Sequence, residues 1–351
     1  MTDLRTKDTS FIKDEEDRKI IANAPSIKDY LSFYLCLSDY MEVNQINIKN
    51  DMTISELIAQ YEASGVLGAG RLSRASNLFA DMVNDKEMNI FMSLAGPMVP
   101  GGLKNIVADL IREGRIRVLM TSGANITHDL LEAFGGRHYK DLGDNDEELN
   151  DAGIGRIADV YTSSDDFEVF ETEMIKIFTQ ISQELDNDED NGVISIQALL
   201  KRVGEIVDDD NSILTLAARN NVDIFSPGLI DSMFGLQLWM FTQDHKLIVD
   251  AVGDMHYLSD IVFESERIGA LMLGGGVPKH YTLASSLLKG GIDAGIQITM
   301  DRPETGSLSG APLQEAKSWS KAKHGSNLVN VIGDATIIFP IIVAGALDKI
   351  D

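Results

Sequence analysis

Met88-Asn-Ile-Phe-Met-Ser-Leu94 runs into Ala95-Gly-Pro97, and Leu103-Lys-Asn-Ile-Val-Ala-Asp-Leu-Ile-Arg-Glu113 and Ile116-Arg-Val-Leu-Met-Thr121 follow. The first run is short, apolar and stopped by small residues, which reads as a buried strand. The second spaces its apolar residues for an amphipathic helix, and the third is a strand again. Strand, turn, helix, strand is the signature of a parallel sheet. Working outward, residues 54–64 and 68–83 carry helical spacing, as do 125–134. Further strands are expected at 223–226, 267–273, 291–299 and 328–333. Small or polar residues close them: Thr121-Ser-Gly-Ala-Asn125, Ser226-Pro-Gly228, Gly274-Gly-Gly276, Thr299-Met-Asp301 and Gly333-Asp-Ala335. Open α/β sheets bind ligands at the carboxyl ends of their strands, so these loops are expected to meet at one site.

Residues 1–45 read as an N-terminal helical extension, with aromatic residues in a helical stretch at 27–41, and residues 46–351 as a single domain. Residues 140–212 read as acidic and loop-rich. Within them, Asp186 to Gly192 resembles a calcium loop but fails the template. Asn191 stands where glycine is needed, and Gln197 replaces the bidentate acid.

The 351-residue chain carries a net charge of −25. That argues against nucleic acid, which needs a basic footprint, and favours cationic partners such as polyamines or a basic protein. A solvated acidic surface explains the charge equally well. Cys36 is the lone cysteine, so no internal disulfide forms, which suits a reducing compartment. The first residues are charged and lack a signal-peptide core. The apolar run at 335–347 is too short to span a bilayer and holds Pro340. A cytoplasmic location without membrane association is expected.

The candidate chemistry lies late in the chain. Neither Gly65-Val-Leu-Gly-Ala-Gly70 nor the triple glycine gives a complete dinucleotide fingerprint. The triple glycine follows an apolar strand, where backbone N–H groups could approach a pyrophosphate; tight packing is the alternative. Asp334 could accept from a ribose hydroxyl or cap a helix. No pair among the six histidines has metal-ligand spacing with a third ligand nearby, so no metal is expected. His280, just after the glycine loop, could take a proton from an amine as a neutral imidazole. Lys321 could form imines if desolvated, with Trp319 offering a face to a cation and Glu315 a counter-charge. Trp319 and Lys321 cannot share one face of a regular helix, so the helix is expected to end or loosen near Ser320. Surface decoration by Lys317 and Lys321 is the competing explanation.

These segments resemble the deoxyhypusine synthase family, most closely its archaeal-type branch. The matching stretches are Gly274-Gly-Gly-Val-Pro-Lys-His280, Asp301-Arg-Pro-Glu-Thr-Gly-Ser-Leu-Ser-Gly-Ala311 and Glu315-Ala-Lys-Ser-Trp-Ser-Lys321. To these are added Ser93 to Gly102, Thr121 to Asp129, Gly136-Arg-His-Tyr139, Gly235-Leu-Gln-Leu-Trp239 and Gly333-Asp-Ala-Thr336. The resemblance implies a Rossmann-like NAD-binding fold in a homotetramer with active sites between subunits. It implies transfer of the aminobutyl group of spermidine to a lysine of a translation factor precursor. Lys321 falls on the imine-forming position. His280, Glu315, Trp319, Gly306, Ser307 and His128 fall on amine-handling positions. Gly96, Pro97, Met98, Ser122, Gly123, Ala124, Asp231, Gly275, Asp334 and Ala335 fall on cofactor positions. Leu236 and Leu308 stand where eukaryotic members carry acids, and Ser320 replaces the usual glycine. A different donor such as agmatine or putrescine stays open, as does transfer to a free diamine to make homospermidine. A non-catalytic scaffold role is a third alternative.

Overall fold

The computed structural model describes residues 41–143, 145–186 and 192–350. The expected 27–41 helix, Cys36 and the acidic 186–192 loop lie largely outside the described residues. Among the described residues eleven strands follow one another: β1 Met88–Leu94, β2 Val118–Thr121, β3 Tyr139–Lys140, β4 Ile154–Ile157, β5 Val160–Ser163, β6 Val193–Ser195, β7 Asp223–Phe225, β8 Ile248–Asp250, β9 Arg267–Leu273, β10 Ile292–Thr299 and β11 Ala322–Ile332. Six of them form one sheet in the order β11-β10-β9-β1-β2-β7. All five pairings in that sheet are parallel. Each strand expected from the sequence is in it.

The chain starts that sheet at its middle. From β1 it moves outward through β2 to β7, then returns to the other side of β1 and continues through β9, β10 and β11. The direction reverses between β1 and β9, which is where a doubly wound sheet opens a crevice. Alternate residues of the central strands bury on opposite faces. Ile90, Met92, Leu271 and Leu273 enter one apolar cluster, and Phe91, Ala270 and Met272 the other. Helices Leu67–Asn84 and Ala335–Leu347 cover the first face, and Asp254–Glu264 and Gly276–Ser286 the second. Burial on both faces is why these strands read as continuous apolar runs. Among the described residues no helix is long and apolar enough to cross a membrane.

The acidic 140–212 stretch is not loop-rich. It contains the 23-residue helix Ser164–Asp186 and the helix Ile196–Val207. Phe170, Met174, Ile177, Phe178 and Ile181 bury along one stripe of the longer helix, while its acids lie elsewhere on the surface. Composition registers the many acids; only the three-and-four spacing of the few apolar residues marks the helix.

Candidate active site

At the crevice, Gly96 ends β1 with φ +86° and Gly274 ends β9 with φ +76°. A methyl group on Gly274 would stand 2.7 Å from the oxygen of Ala95, so glycine lets the two loops touch. Asn125 braces the first loop. Its amide donates to Gly96 O at 3.1 Å and to Thr121 Oγ1 at 3.2 Å, and its oxygen accepts from Val99 N at 3.1 Å. Pro97 and Met98 lie in that braced loop. Ser122 caps the helix Gly123–Ala133, which also carries Ala124. Asp231 is exposed in the turn after β7. Asp334 and Ala335 follow β11, and the Thr336 methyl would be 3.3 Å from a methyl on Gly101. All the expected cofactor residues therefore sit along one edge of the sheet.

Two of them have local roles as well. Asp334 Oδ1 accepts from Thr336 N and Thr336 Oγ1, each at 2.8 Å, so it caps the last helix. The space above Gly275 is filled by Ser309, whose backbone would collide with any side chain there; the Ser309 hydroxyl accepts from Gly276 N at 2.9 Å. The close approach at the triple glycine is thus made by the protein's own 302–312 segment.

That segment builds a cleft of about 370 Å³ against the helix Gly276–Ser286. Lys279, His280 and Leu283 form one wall; Leu308, Glu315, Trp319 and Lys321 are on the other. Gly306, with φ +67°, and Ser307 form the exposed turn that leads into Leu308. Pro312 precedes a 3-10 helix, Leu313–Trp319, rather than an α-helix. It ends at Ser320, whose φ of 55° lies in the left-handed region. The reversal lets both Trp319 and Lys321 border the cleft, with Lys321 Nζ 5.8 Å from the indole centroid. The break expected near Ser320 is present, at the position where the family resemblance implied glycine.

Electrostatics set these groups apart. Burial and the neighbouring Lys321 ammonium lower the His280 pKa, which keeps its imidazole neutral at physiological pH. Lys279 is 1% exposed. Burial pulls its pKa down to about 8, with Glu315 opposing. Its Nζ donates to Leu308 O at 2.8 Å and Ala311 O at 2.7 Å.

Sequence reasoning missed Lys279, and also a buried amide pair. Gln297 donates to Gly274 O at 3.0 Å and Ser309 O at 2.8 Å, and accepts from Asn330 at 3.0 Å. Asn330 in turn accepts from Leu313 N at 3.0 Å. One bond joins the two strands, and the other three pin Gly274, Ser309 and Leu313 to the sheet. The available signal was one amide inside each of two apolar strands, Ile-Gln-Ile and Val-Asn-Val. Leu236 is not on the cleft; it is exposed on the helix Met233–Phe241. His128 stands elsewhere too, in a side-chain cluster with His138.

The family model for deoxyhypusine synthase matches residues 56–346. A relative from Methanothermobacter thermautotrophicus, described as a probable deoxyhypusine synthase, is 60% identical over 310 residues, covering 88% of this chain and 99% of its own. One from Methanopyrus kandleri, described in the same words, is 41% identical with the same coverage. A crystal structure from Entamoeba histolytica, described as that of a putative deoxyhypusine synthase, superposes with TM-score 0.61 over 85% of this chain and 94% of its own. At 20% identity that likeness speaks for the fold alone. The chain belongs to the deoxyhypusine synthase family of transferases.

Proposed function

We propose that this enzyme moves the aminobutyl group of spermidine to a lysine of the hypusine-containing translation factor precursor, by way of an imine on Lys321. The observation that carries the reading is the cleft in which Lys321, His280, Glu315 and Trp319 converge. Glu315 supplies a counter-charge for a substrate ammonium, and the indole offers it a cation-binding face. Neutral His280 takes the proton released as the amine is oxidised. NAD held by the Gly96 and Gly274 loops would supply the hydride acceptor for the amine oxidation and the hydride donor for the closing reduction. Lys321 attacks the resulting C=N carbon and expels 1,3-diaminopropane. The acceptor lysine then displaces Lys321 in the same way. The glycine contact between the Ala95 and Gly274 loops, at the reversal point of the sheet, fits a dinucleotide there.

The two halves of the site lie apart in one chain. Lys321 O accepts from Ile292 N at 3.1 Å, at the amino end of β10. Asp334 follows the carboxyl end of β11, beside Thr299. Seven residue steps, from Ile292 to Thr299, separate these edges, roughly 23 Å at about 3.3 Å per step. This supports active sites completed between copies, in a homotetramer. Residues 46–351 act in this reading as one catalytic domain of a cytoplasmic protein.

A second reading concerns the donor. Leu308 lines the cleft and Glu315 is its one carboxylate, so an amine with fewer cationic nitrogens, such as agmatine or putrescine, fits as well. Incubation with NAD and labelled spermidine, with the factor precursor or with putrescine, separates the cases. Label on the precursor supports the first reading. Label in a small polyamine alone assigns homospermidine synthesis, and no release of 1,3-diaminopropane overturns spermidine as donor.

A further inference from the structure

Lys321 sits at the very end of the ladder between β10 and β11. Its carbonyl accepts from Ile292 N at 3.1 Å. Directly afterwards the register breaks: Ile292 faces Ala322, but Ala294 faces Asn327. Two steps along β10 therefore match five along β11, and residues 323–326 bulge out of the ladder. Lys317 closes the bulge, donating from Nζ to His324 O at 3.2 Å and to Ser326 O at 3.4 Å. A ladder interrupted at this point cannot fix Lys321 alone, so other contacts have to hold it.

They come from the helix that carries His280. The helix Gly276–Ser286 runs into a 3-10 turn, Leu287–Lys289, and Gly290, with φ +81°, and Gly291, with φ +100°, then reverse the chain into β10. Gly291 N donates back to Ser286 O at 2.8 Å, and Gly290 N to Leu287 O at 3.1 Å. The turn presses Gly291 onto the peptide group that follows Lys321. A methyl group on Gly291 would stand 2.5 Å from the Lys321 carbonyl carbon and 2.5 Å from Ala322 N. Those are backbone atoms, which cannot swing aside as the tip of a side chain can. Ser286 is fully buried, and its one hydroxyl hydrogen is shared between Leu283 O at 2.8 Å and Lys321 O at 3.3 Å.

The peptide group before Lys321 is held as well, because Lys321 N donates to Ala316 O at 2.9 Å across the left-handed Ser320. Peptide groups are planar, so fixing the two that flank a residue fixes the direction of its Cα–Cβ bond. The Lys321 side chain is thereby sent into the cleft that it lines. His280 stands on the same helix as Ser286, six residues earlier and about 9 Å along the axis. One rigid rod thus carries the proposed base and braces the proposed nucleophile.

We infer that Gly291 and Ser286 are positioning residues which set where Lys321 stands relative to His280, acting through the peptide group between Lys321 and Ala322. This rests on the proposed reading that Lys321 forms the imine. It adds a reason for glycine at a position outside the cleft: a side chain at 291 pushes the nucleophile's backbone away from its place. The oxidised amine then meets water instead of Lys321. Water adds across the C=N bond, the C–N bond breaks, and an aminoaldehyde and the free leaving amine result.

The test compares two products of one incubation. Full-length protein is mixed with NAD and spermidine labelled in its butyl chain, or with labelled agmatine or putrescine where the wild type oxidises that amine instead. NADH is read by absorbance, and label on Lys321 is counted by peptide mapping after borohydride reduction. Gly291→Ala is expected to lower the ratio of label on Lys321 to NADH by about tenfold, with the missing label recovered as aminoaldehyde. Lost folding lowers both counts together and leaves their ratio unchanged, so the ratio separates positioning from stability. Ser286→Ala should lower it by about threefold, the loss of one weak shared hydrogen bond, and it carries the test if Gly291→Ala does not fold. A wild-type ratio in the folded variants would overturn the inference and leave the imine reading standing. A wild type that forms NADH but carries no label on Lys321, or that oxidises none of the three amines, would remove the imine reading and this inference with it.

Discussion

Lys279 Nζ donates to the backbone oxygen of Leu308 at 2.8 Å, so one buried side chain ties the helix behind the triple glycine to the opposite wall of the cleft. A second bond, to Ala311 O at 2.7 Å, fixes the same segment. A neutral amine has two N–H donors, enough for both carbonyls.

Replacing Lys279 with Met should remove both bonds and leave two carbonyls without partners. The expected loss of stability is about 1.5–3 kcal/mol, read from urea midpoints. The effect depends on pH in a defined direction. The folded lysine releases its proton at about 8, and the unfolded one near 10.5. Between those values the unfolded chain binds more protons, so Lys279 makes stability rise with pH across that window. The wild-type minus Lys279→Met difference should grow from pH 8 to 10.5; a flat difference would refute the depressed lysine.

Ser320 holds φ 55° to turn the chain between Trp319 and Lys321. A residue with a Cβ is strained there, whereas glycine is not. Ser320→Gly should therefore stabilise the protein by up to about 1 kcal/mol, the strain relieved less the added chain entropy. Thermal unfolding of the two proteins side by side decides it.

Asp334→Ser and Asp334→Ala separate two roles of one carboxylate. Serine keeps a cap for the last helix, and alanine costs about 1 kcal/mol of stability. If the acid also accepts from a cofactor ribose, both variants should raise the KM for NAD by about tenfold or more. Unchanged NAD affinity in Asp334→Ser would leave Asp334 as a helix cap alone.

Asp254 is buried at the start of its helix, where it accepts from Gln197 N at 2.8 Å. Burial raises its pKa to about 6 from an ordinary 3.8. Between these values the folded protein binds more protons than the unfolded one, so Asp254 makes stability fall as pH rises through the window. Asp254→Asn should flatten that part of the pH–stability curve, measured by urea unfolding from pH 4 to 6.5.

Lys321→Arg keeps the positive charge near Trp319 but cannot form an imine. Borohydride trapping of labelled amine on the enzyme should disappear, and transfer should fall by at least about a thousandfold. Full transfer by this variant would remove Lys321 from the proposed mechanism.

Much of the architecture was legible because period and punctuation were both strong. The strand Met88–Leu94 is mostly apolar, broken only by Asn89 and Ser93, and stopped by Ala-Gly-Pro, so its type and end could both be read. The helix Ser164–Asp186 was not, because its stripe of five buried apolar residues is diluted by acids. At the site, Lys321 and His280 were visible as reactive types beside glycine and tryptophan. Lys279 and Gln297 were not, since each has a meaning only in the backbone oxygens it meets.

Sequence by itself determined the parallel α/β sheet, the family and the short list of groups able to handle an amine. Those follow from local spacing and residue chemistry, which one chain segment carries alone. The tertiary structure decided which groups share a cleft, and that β1 and β9 meet at the reversal point. It also decided that Lys321 and Asp334 lie at opposite ends of the sheet and that His138 covers His128. Those relations arise from contacts between segments far apart along the chain, where strand register and close glycine packing, not local pattern, set the distances.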